Sequence, residues 1–267
     1  MSVDLLVDST FVLAEGPRWD AAGGRLLWVD IERGELHAWD GATHDCTQLG
    51  TRVGAVAPTE DGDVLLALQD RLALLDGGTL VPFPWPAEVR ANDGNCDPEG
   101  RFWIGSMPLD EHSPVAELYR FDGVSLVPQL DGLTISNGMG WQGPRMYFID
   151  TPTGRIDVFD YDGEIANRRT FARVDRGHPD GMCLDDEGFV WVACHGGGCV
   201  QRFAPDGSLD RVLELPDESP TCPCFFGGAL VVTSRSRIWI TDVGVGGPPA
   251  QPFRSVAPSE AEPTSSR

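Results

Sequence analysis

The chain has 267 residues, of which Gly and Pro together supply 53; 41% are hydrophobic, and the formal charge is −21. So much punctuation excludes a helical bundle, and so much apolar content excludes a disordered chain. The acidic surface repels phosphate backbones and anionic lipid, and because all 20 basic residues are arginine, Schiff-base, Walker-lysine and Ser–Lys chemistries are excluded.

At the N-terminus, Met1-Ser2-Val3-Asp4 lacks the basic region and apolar core of a signal peptide. No apolar run approaches the ~18–20 residues that a membrane span needs. The seven cysteines (46, 96, 183, 194, 199, 222 and 224) are odd in number and scattered, which fits a reducing compartment better than a disulfide framework. The expectation is a cytoplasmic protein with all seven thiols reduced and no membrane or nucleic-acid partner.

Six segments then repeat one pattern along the chain: a glycine, a small or acidic turn, and a short strand of aromatic and β-branched residues. They are Gly16…Leu27-Trp28-Val29, Gly54…Val64-Leu65-Leu66, Gly94…Phe102-Trp103-Ile104, Gly138…Met146-Tyr147-Phe148, Gly181…Val190-Trp191-Val192 and a weaker Cys224…Leu230-Val231-Val232. Their strands are offset by 37, 38, 44, 44 and 40 residues. Second strands ending in acidic turns follow most of them, as in Leu36-His37-Ala38-Trp39-Asp40 and Ile156-Asp157-Val158-Phe159-Asp160. Asp-Gly turns at 122–123, 162–163 and 206–207 read as antiparallel hairpins. Val64–Leu75 has the composition of an amphipathic helix, but its place in the repeat requires two strands turning at Gln69-Asp70. The period predicts an all-β fold, a six-bladed β-propeller with four-stranded antiparallel blades around a central channel. It spans 1–254 as one domain, and the Pro-, Ser- and Glu-rich stretch 255–267 reads as a disordered tail.

Equivalent positions of propeller blades occupy equivalent radial positions, so residues far apart in sequence converge on the channel. The residues just before the repeat glycines are Glu15, Val53, Asp93, Asn137 and Asp180, with Asn92 one place earlier. Such a ring of carboxylates is costly unless a cation offsets it. Glu15, Asp180 and the neutral Asn137 amide balance a divalent charge, and an all-oxygen set favours Ca²⁺, Mg²⁺ or Mn²⁺ over structural zinc. The same residue types also cap strand starts and turns, and periodicity alone leaves both roles open.

Four stretches carry a resemblance. They are Glu15-Gly16-Pro17 before Leu27-Trp28-Val29-Asp30-Ile31; Arg90-Ala91-Asn92-Asp93-Gly94 before Asp97-Pro98-Glu99-Gly100-Arg101-Phe102-Trp103; Ile135-Ser136-Asn137-Gly138 before Tyr147-Phe148-Ile149-Asp150-Thr151; and Pro179-Asp180-Gly181-Met182-Cys183-Leu184-Asp185 before Trp191-Val192-Ala193. Together, over about residues 12–254, they resemble the senescence-marker-protein/gluconolactonase/regucalcin-like family. The resemblance implies one divalent cation in the channel, with Ca²⁺ the first expectation and Mg, Mn, Zn or Fe also admissible, and hydrolysis of a sugar lactone to its aldonic acid. It further implies Glu15, Asn137 and Asp180 as metal ligands, Asp180 as catalytic base, Arg90 and Asn92 as substrate contacts, and a lid-like loop around Pro108–Val115. Hydrolysis of phosphotriesters or other activated esters is the alternative enzyme, and a non-catalytic calcium- or protein-binding propeller is the opposing class. The expected assembly is a monomer or weak homo-oligomer.

Other constellations read more simply. Cys222-Pro223-Cys224 is one residue short of a C-x-x-C pair and reads as a strand start in the core, where the last blade diverges. His178, beside a turn, reads as a hydrogen-bonded structural residue, whereas His195, on a glycine run, is open between rim and substrate. Trp28, Trp103 and Trp191 share a repeat phase and read as blade packing. No G-x-S-x-G elbow is present, which disfavours a serine lactonase.

Overall fold

A computed structural model describes residues 2–254 of the chain, so the expected tail at 255–267 lies outside the described residues. A short β1 (Asp4–Leu5) precedes the first blade: β2 (Ala14–Asp20), β3 (Arg25–Asp30), β4 (Glu35–Trp39) and β5 (His44–Gln48). The second blade is β6 (Val53–Pro58), β7 (Val64–Leu68), β8 (Arg71–Leu74) and β9 (Gly78–Pro82). The third is β10 (Val89–Cys96), β11 (Phe102–Pro108), β12 (Ala116–Phe121) and β13 (Leu126–Leu133). The fourth is β14 (Ser136–Gln142), β15 (Arg145–Asp150), β16 (Arg155–Tyr161) and β17 (Ile165–Arg173). The fifth is β18 (His178–Leu184), β19 (Val190–His195), β20 (Cys199–Phe203) and β21 (Leu209–Glu214), and β22 (Pro220–Phe226), β23 (Ala229–Ser234) and β24 (Arg237–Thr241) begin the sixth.

Each blade is a four-stranded antiparallel sheet, and the chain's first strand completes the last: β1 pairs β24 through Asp4↔Ile240 and Leu5↔Trp239. The expected six-bladed propeller is the fold. Val64–Leu75 forms two strands as its place in the repeat requires. No helix among the described residues is long and apolar enough to cross a membrane.

Burial explains why the second strand of each repeat is the legible one. A blade packs a neighbour on each face, so its middle strands lose solvent on both sides and read as continuous apolar runs. Val64–Leu68 is buried throughout, whereas the outermost His44–Gln48 is largely exposed. The core is accordingly six clusters, one between each pair of neighbouring blades, such as Leu27, Val29, Val56 and Leu66 between the first two. Burying each such side chain contributes about 1.5–3 kcal/mol.

Repeated polar pins hold the inner turns. Asp97 Oδ2 accepts the Trp103 indole N–H at 2.8 Å, and Asp185 Oδ2 accepts that of Trp191 at the same distance. Their Oδ1 atoms accept turn amides from Glu99 and Arg101, and from Glu187 and Phe189. The tryptophans at 28, 103 and 191 are fully buried between blades, as their phase predicts. Beyond β24 the chain runs back across one end of the channel. Ala250 N–H donates to Trp19 O at 2.9 Å, Phe253 N–H to Pro58 O at 2.8 Å and Arg254 N–H to Gly100 O at 2.8 Å. This strap ties the first, second and third blades and borders a small cavity of about 220 Å³ at that end.

Candidate active site at the open channel mouth

Every inner strand carries a break in its ladder at the same level, after Glu15, Val53, Ala91, Ser136, Pro179 and Pro220. A β-bulge re-aims the side chains of its unpaired residues. In β10, β14 and β18 the first unpaired residue is Asn92, Asn137 and Asp180, and the second is Asp93, Gly138 and Gly181. This corrects the alignment on repeat glycines: Asn92, not Asp93, is the counterpart of Asn137 and Asp180.

The consequence is a cavity of about 380 Å³ at the mouth opposite the strap, with Glu15, Arg90, Asn92, Asn137 and Asp180 all on its wall. Asp93 faces the other way, onto Arg18 in the channel, at 3.1 Å; the same guanidinium nitrogen donates to Gly94 O at 2.6 Å. Asp93 therefore belongs to a buried ion pair below the site.

A chain of hydrogen bonds orients the amides. Arg90 donates to Asn92 Oδ1 at 2.8 Å, and Asn92 Nδ2 donates to Asn137 Oδ1 at 3.0 Å and to Ser136 O at 2.9 Å. Asn137 Nδ2 donates to Thr151 Oγ1 at 2.8 Å, and that hydroxyl donates to Pro179 O at 2.8 Å. Asn137 Oδ1 is thereby fixed with a lone pair to spare. The carboxylates have no such support. Glu15 accepts only its neighbouring Gly16 N–H, at 2.9 Å. Loss of hydration, then the Asp93 charge, pushes the Glu15 carboxyl up to about 8. Burial, followed by the charges of Glu15 and Asp93, raises Asp180 well above the usual carboxylate range. Two under-solvated carboxylates that disfavour each other's charge, beside an oriented amide oxygen, form a hard-oxygen donor set whose charge suits one divalent cation. The residues fit the group.

The cavity is also lined by three histidines, His112, His178 and His195, and by Arg235. His195 Nδ1 lies 3.8 Å from Asp180 Oδ2, and burial, then the Arg235 and His178 charges, holds its ring below the usual histidine range. His195 thus faces the cavity, which settles the question its glycine run left open. His178 is a correction: its ring is exposed at the cavity mouth and is not a structural hydrogen-bonding residue. Cys222 and Cys224 are buried in β22 as expected of core residues.

Thr151, Glu111, His112 and Arg235 also line the cavity, and sequence reading missed them as site residues. The signal was available in the repeat phase: all follow the second strand of a blade, and His195 is the last residue of one. The Pro108–Val115 loop supplies Glu111, a non-glycine residue at φ 61, and Asp110 anchors it by accepting the His112 and Ser113 amides at 2.9 and 3.0 Å. Backbone in that region is costly for a side chain other than glycine and recurs where a residue is held for function.

The family model described as "SMP-30/Gluconolactonase/LRE-like region" matches residues 13–241. The pentonolactonase XacC of Haloferax volcanii is 34% identical over 262 residues, covering 91% of this chain and 86% of its own. Regucalcin of Xenopus laevis is 32% identical over 257 residues, covering 85% and 83%. Among solved structures, a calcium-binding protein, regucalcin from Agrobacterium tumefaciens, superimposes with a TM-score of 0.90 at 26% identity, covering 95% of this chain and 97% of that one.

Proposed function

The chain belongs to the SMP-30/gluconolactonase/LRE-like family, and from that premise we propose that it hydrolyses a sugar-derived lactone to the aldonic acid at the open channel mouth. The observation that carries this reading is the convergence of Glu15, Arg90, Asn92, Asn137 and Asp180 on one cavity of about 380 Å³, a volume in the range of small-ligand sites. A relative named for pentonolactone hydrolysis supports the substrate class.

Glu15, Asn137 and Asp180 are the residues that would hold a divalent cation, with Ca²⁺ the first choice. When bound there, such an ion supplies Lewis-acid polarisation of the ester carbonyl and offsets the negative charge that develops on its oxygen. The chain's own residues do the rest. Asp180 accepts the proton of the attacking water, the acyl C–O bond of the ring breaks, and the proton passes to the departing oxygen. Arg90, which uses only Nη1 in its bonds to Ala91 O and Asn92 Oδ1, presents its remaining donors to substrate oxygens. Asn92, whose two amide N–H groups are already engaged, presents its Oδ1 as an acceptor to a substrate hydroxyl, where an unmatched partner is heavily penalised. Asn137, fixed by Thr151, stays a neutral ligand that adds no further repulsion.

The protein acts as one propeller domain, a monomer or weak homo-oligomer, in the cytoplasm. Its seven unpaired cysteines and strongly acidic surface support a reducing compartment and a small-molecule partner. A panel of aldonolactones assayed with and without chelator tests the reading. At least one lactone should be opened, with activity lost on chelation and restored by a divalent cation. Folded, metal-loaded protein that opens none of them would refute it.

A further inference from the structure

On the outer part of the first blade, Trp28, His37 and Cys46 are direct partners across β3, β4 and β5 and form one row on one face of the sheet. Glu35 lies two residues before His37 and so projects from the same face. Donor atoms of Glu35, His37 and Cys46 all fall within 4.8 Å of one another. The His37 ring is clamped, stacked on Trp28 with centroids 5.3 Å apart and met edge-on by Phe11 at 5.2 Å.

The two nitrogens of that ring have different surroundings. Nδ1 is 3.1 Å from His44 Nε2, a hydrogen bond. Nε2 is buried with no hydrogen-bond partner, in a residue only 4% exposed, although Glu35 Oε2 stands 3.4 Å away. If Nδ1 carries the proton and donates it to His44, the Nε2 lone pair points at a carboxylate, an unfavourable meeting of two electron-rich groups. A cation between them turns that conflict into coordination. A histidine ligand whose other nitrogen is held by a hydrogen bond is the usual arrangement around protein-bound metals.

We propose that Glu35, His37 through Nε2, and Cys46 through Sγ bind one borderline divalent transition ion of the zinc class, at a site separate from the channel mouth. The donor set decides the class. One sulfur, one imidazole nitrogen and one carboxylate oxygen suit a tetrahedral Zn²⁺ with water in the fourth position, and a thiolate is a poor ligand for Ca²⁺ or Mg²⁺. Access is direct, because Cys46 is the exposed cysteine of the chain while His37 forms the buried floor. The ion ties β4 to β5 at the edge of the blade and displaces the Cys46 thiol proton to solvent on binding.

Cobalt(II) is the probe, because a thiolate–cobalt charge-transfer band in the near ultraviolet cannot arise from the all-oxygen channel site. Reduced wild-type protein should develop that band with one equivalent of Co²⁺ and lose it when Zn²⁺ is added. Cys46→Ser should abolish the band and lower bound zinc by one ion per chain. Glu35→Gln should weaken binding tenfold or more, and Glu15→Gln should leave the band unchanged. In unmodified protein, Zn²⁺ should protect Cys46 from alkylation as mapped by mass spectrometry, a readout that needs no variant to fold. Absence of the band in folded wild-type protein, its persistence in Cys46→Ser, or alkylation of Cys46 unaffected by Zn²⁺ would overturn the proposal.

Discussion

Asn92 and Asp93 are adjacent in sequence and end up serving opposite sides of one bulge. Asn92 lines the cavity, while Asp93 turns into the channel and pairs with Arg18. Spacing from a glycine identifies the right radius but not the right side, because one extra residue in a strand exchanges the faces. The places of Glu15, Asn137 and Asp180 on the cavity wall were legible because each directly precedes its glycine; Arg235 has no composition signal and is marked only by its phase, directly after a blade's second strand. The sharpest test at this scale separates Asp180 as base from Asp180 as ligand. Asp180→Asn keeps an oxygen of nearly the same shape but removes the charge and the proton acceptor. If Asp180 is the base, kcat at saturating divalent cation should fall by about 10²–10⁴. Near-normal kcat under that condition would leave Asp180 a ligand only, with His195, 3.8 Å away, the adjacent candidate for the proton.

Between elements, the inner strands approach one another so closely that the glycines become structural requirements. A Cβ on Gly138 would lie 2.7 Å from Asp180 O and 2.8 Å from Met182 N, both backbone atoms of β18. A Cβ on Gly181 would meet the Cys222 side chain and its Cα, on β22. At Gly54, Gly138 and Gly181 the repeat glycine thus lets one blade's inner strand sit against the next, whereas a Cβ on Gly16 would meet nothing and one on Gly94 would meet its own blade's β11. This reason was invisible in a single sequence, where glycine reads only as a turn. The blade strands themselves were legible because burial on both faces makes them continuous apolar runs. Gly138→Ala couples packing to chemistry, since the backbone it displaces is the one carrying Asp180. The variant should lose about 1–3 kcal/mol of stability, the usual cost of overpacking, and should also lose kcat. Urea unfolding and steady-state kinetics on the same preparation check both. A fall in stability with unchanged kcat would mean that β18 yields without moving Asp180.

At the scale of the whole molecule, six inter-blade clusters make a ring packed by apolar side chains that lie outside the polar centre. The period revealed six blades, but two devices that close the ring lay outside it. One is β1, which pairs β24 through only two residues; the other is the strap from Gly246 to Arg254 across the far end. β1 fills the outer-strand place of the sixth blade from the opposite end of the chain, and the strap has no repeat counterpart, so the period marks neither. A self-supporting ring around acids that repel each other predicts how the protein responds to metal removal. Chelation should abolish lactonase activity while leaving far-UV circular dichroism largely intact, because the strands are held by blade packing. The stability of the chelated protein should then depend on pH with a definite sign. In the metal-free fold the Glu15 carboxyl sits at about 8 against an ordinary 4.5, and Asp180 is displaced in the same direction. A carboxyl raised on folding binds its proton more tightly in the native state. Its contribution is therefore complete below 4.5 and is lost as pH rises through about 8. Histidines held below their usual range act in the opposite sense at the acid end, so wild type must be compared with Glu15→Gln, in which they cancel. Urea unfolding with chelator at about pH 5 and about pH 8.5 should show wild type losing stability relative to Glu15→Gln as pH rises. Saturating divalent cation should remove that trend, since it takes the place of the protons. A wild-type-minus-variant difference that stays flat between the two pH values would mean that burial and the Asp93 charge do not raise the Glu15 carboxyl, and the electrostatic case for a cation there would fail.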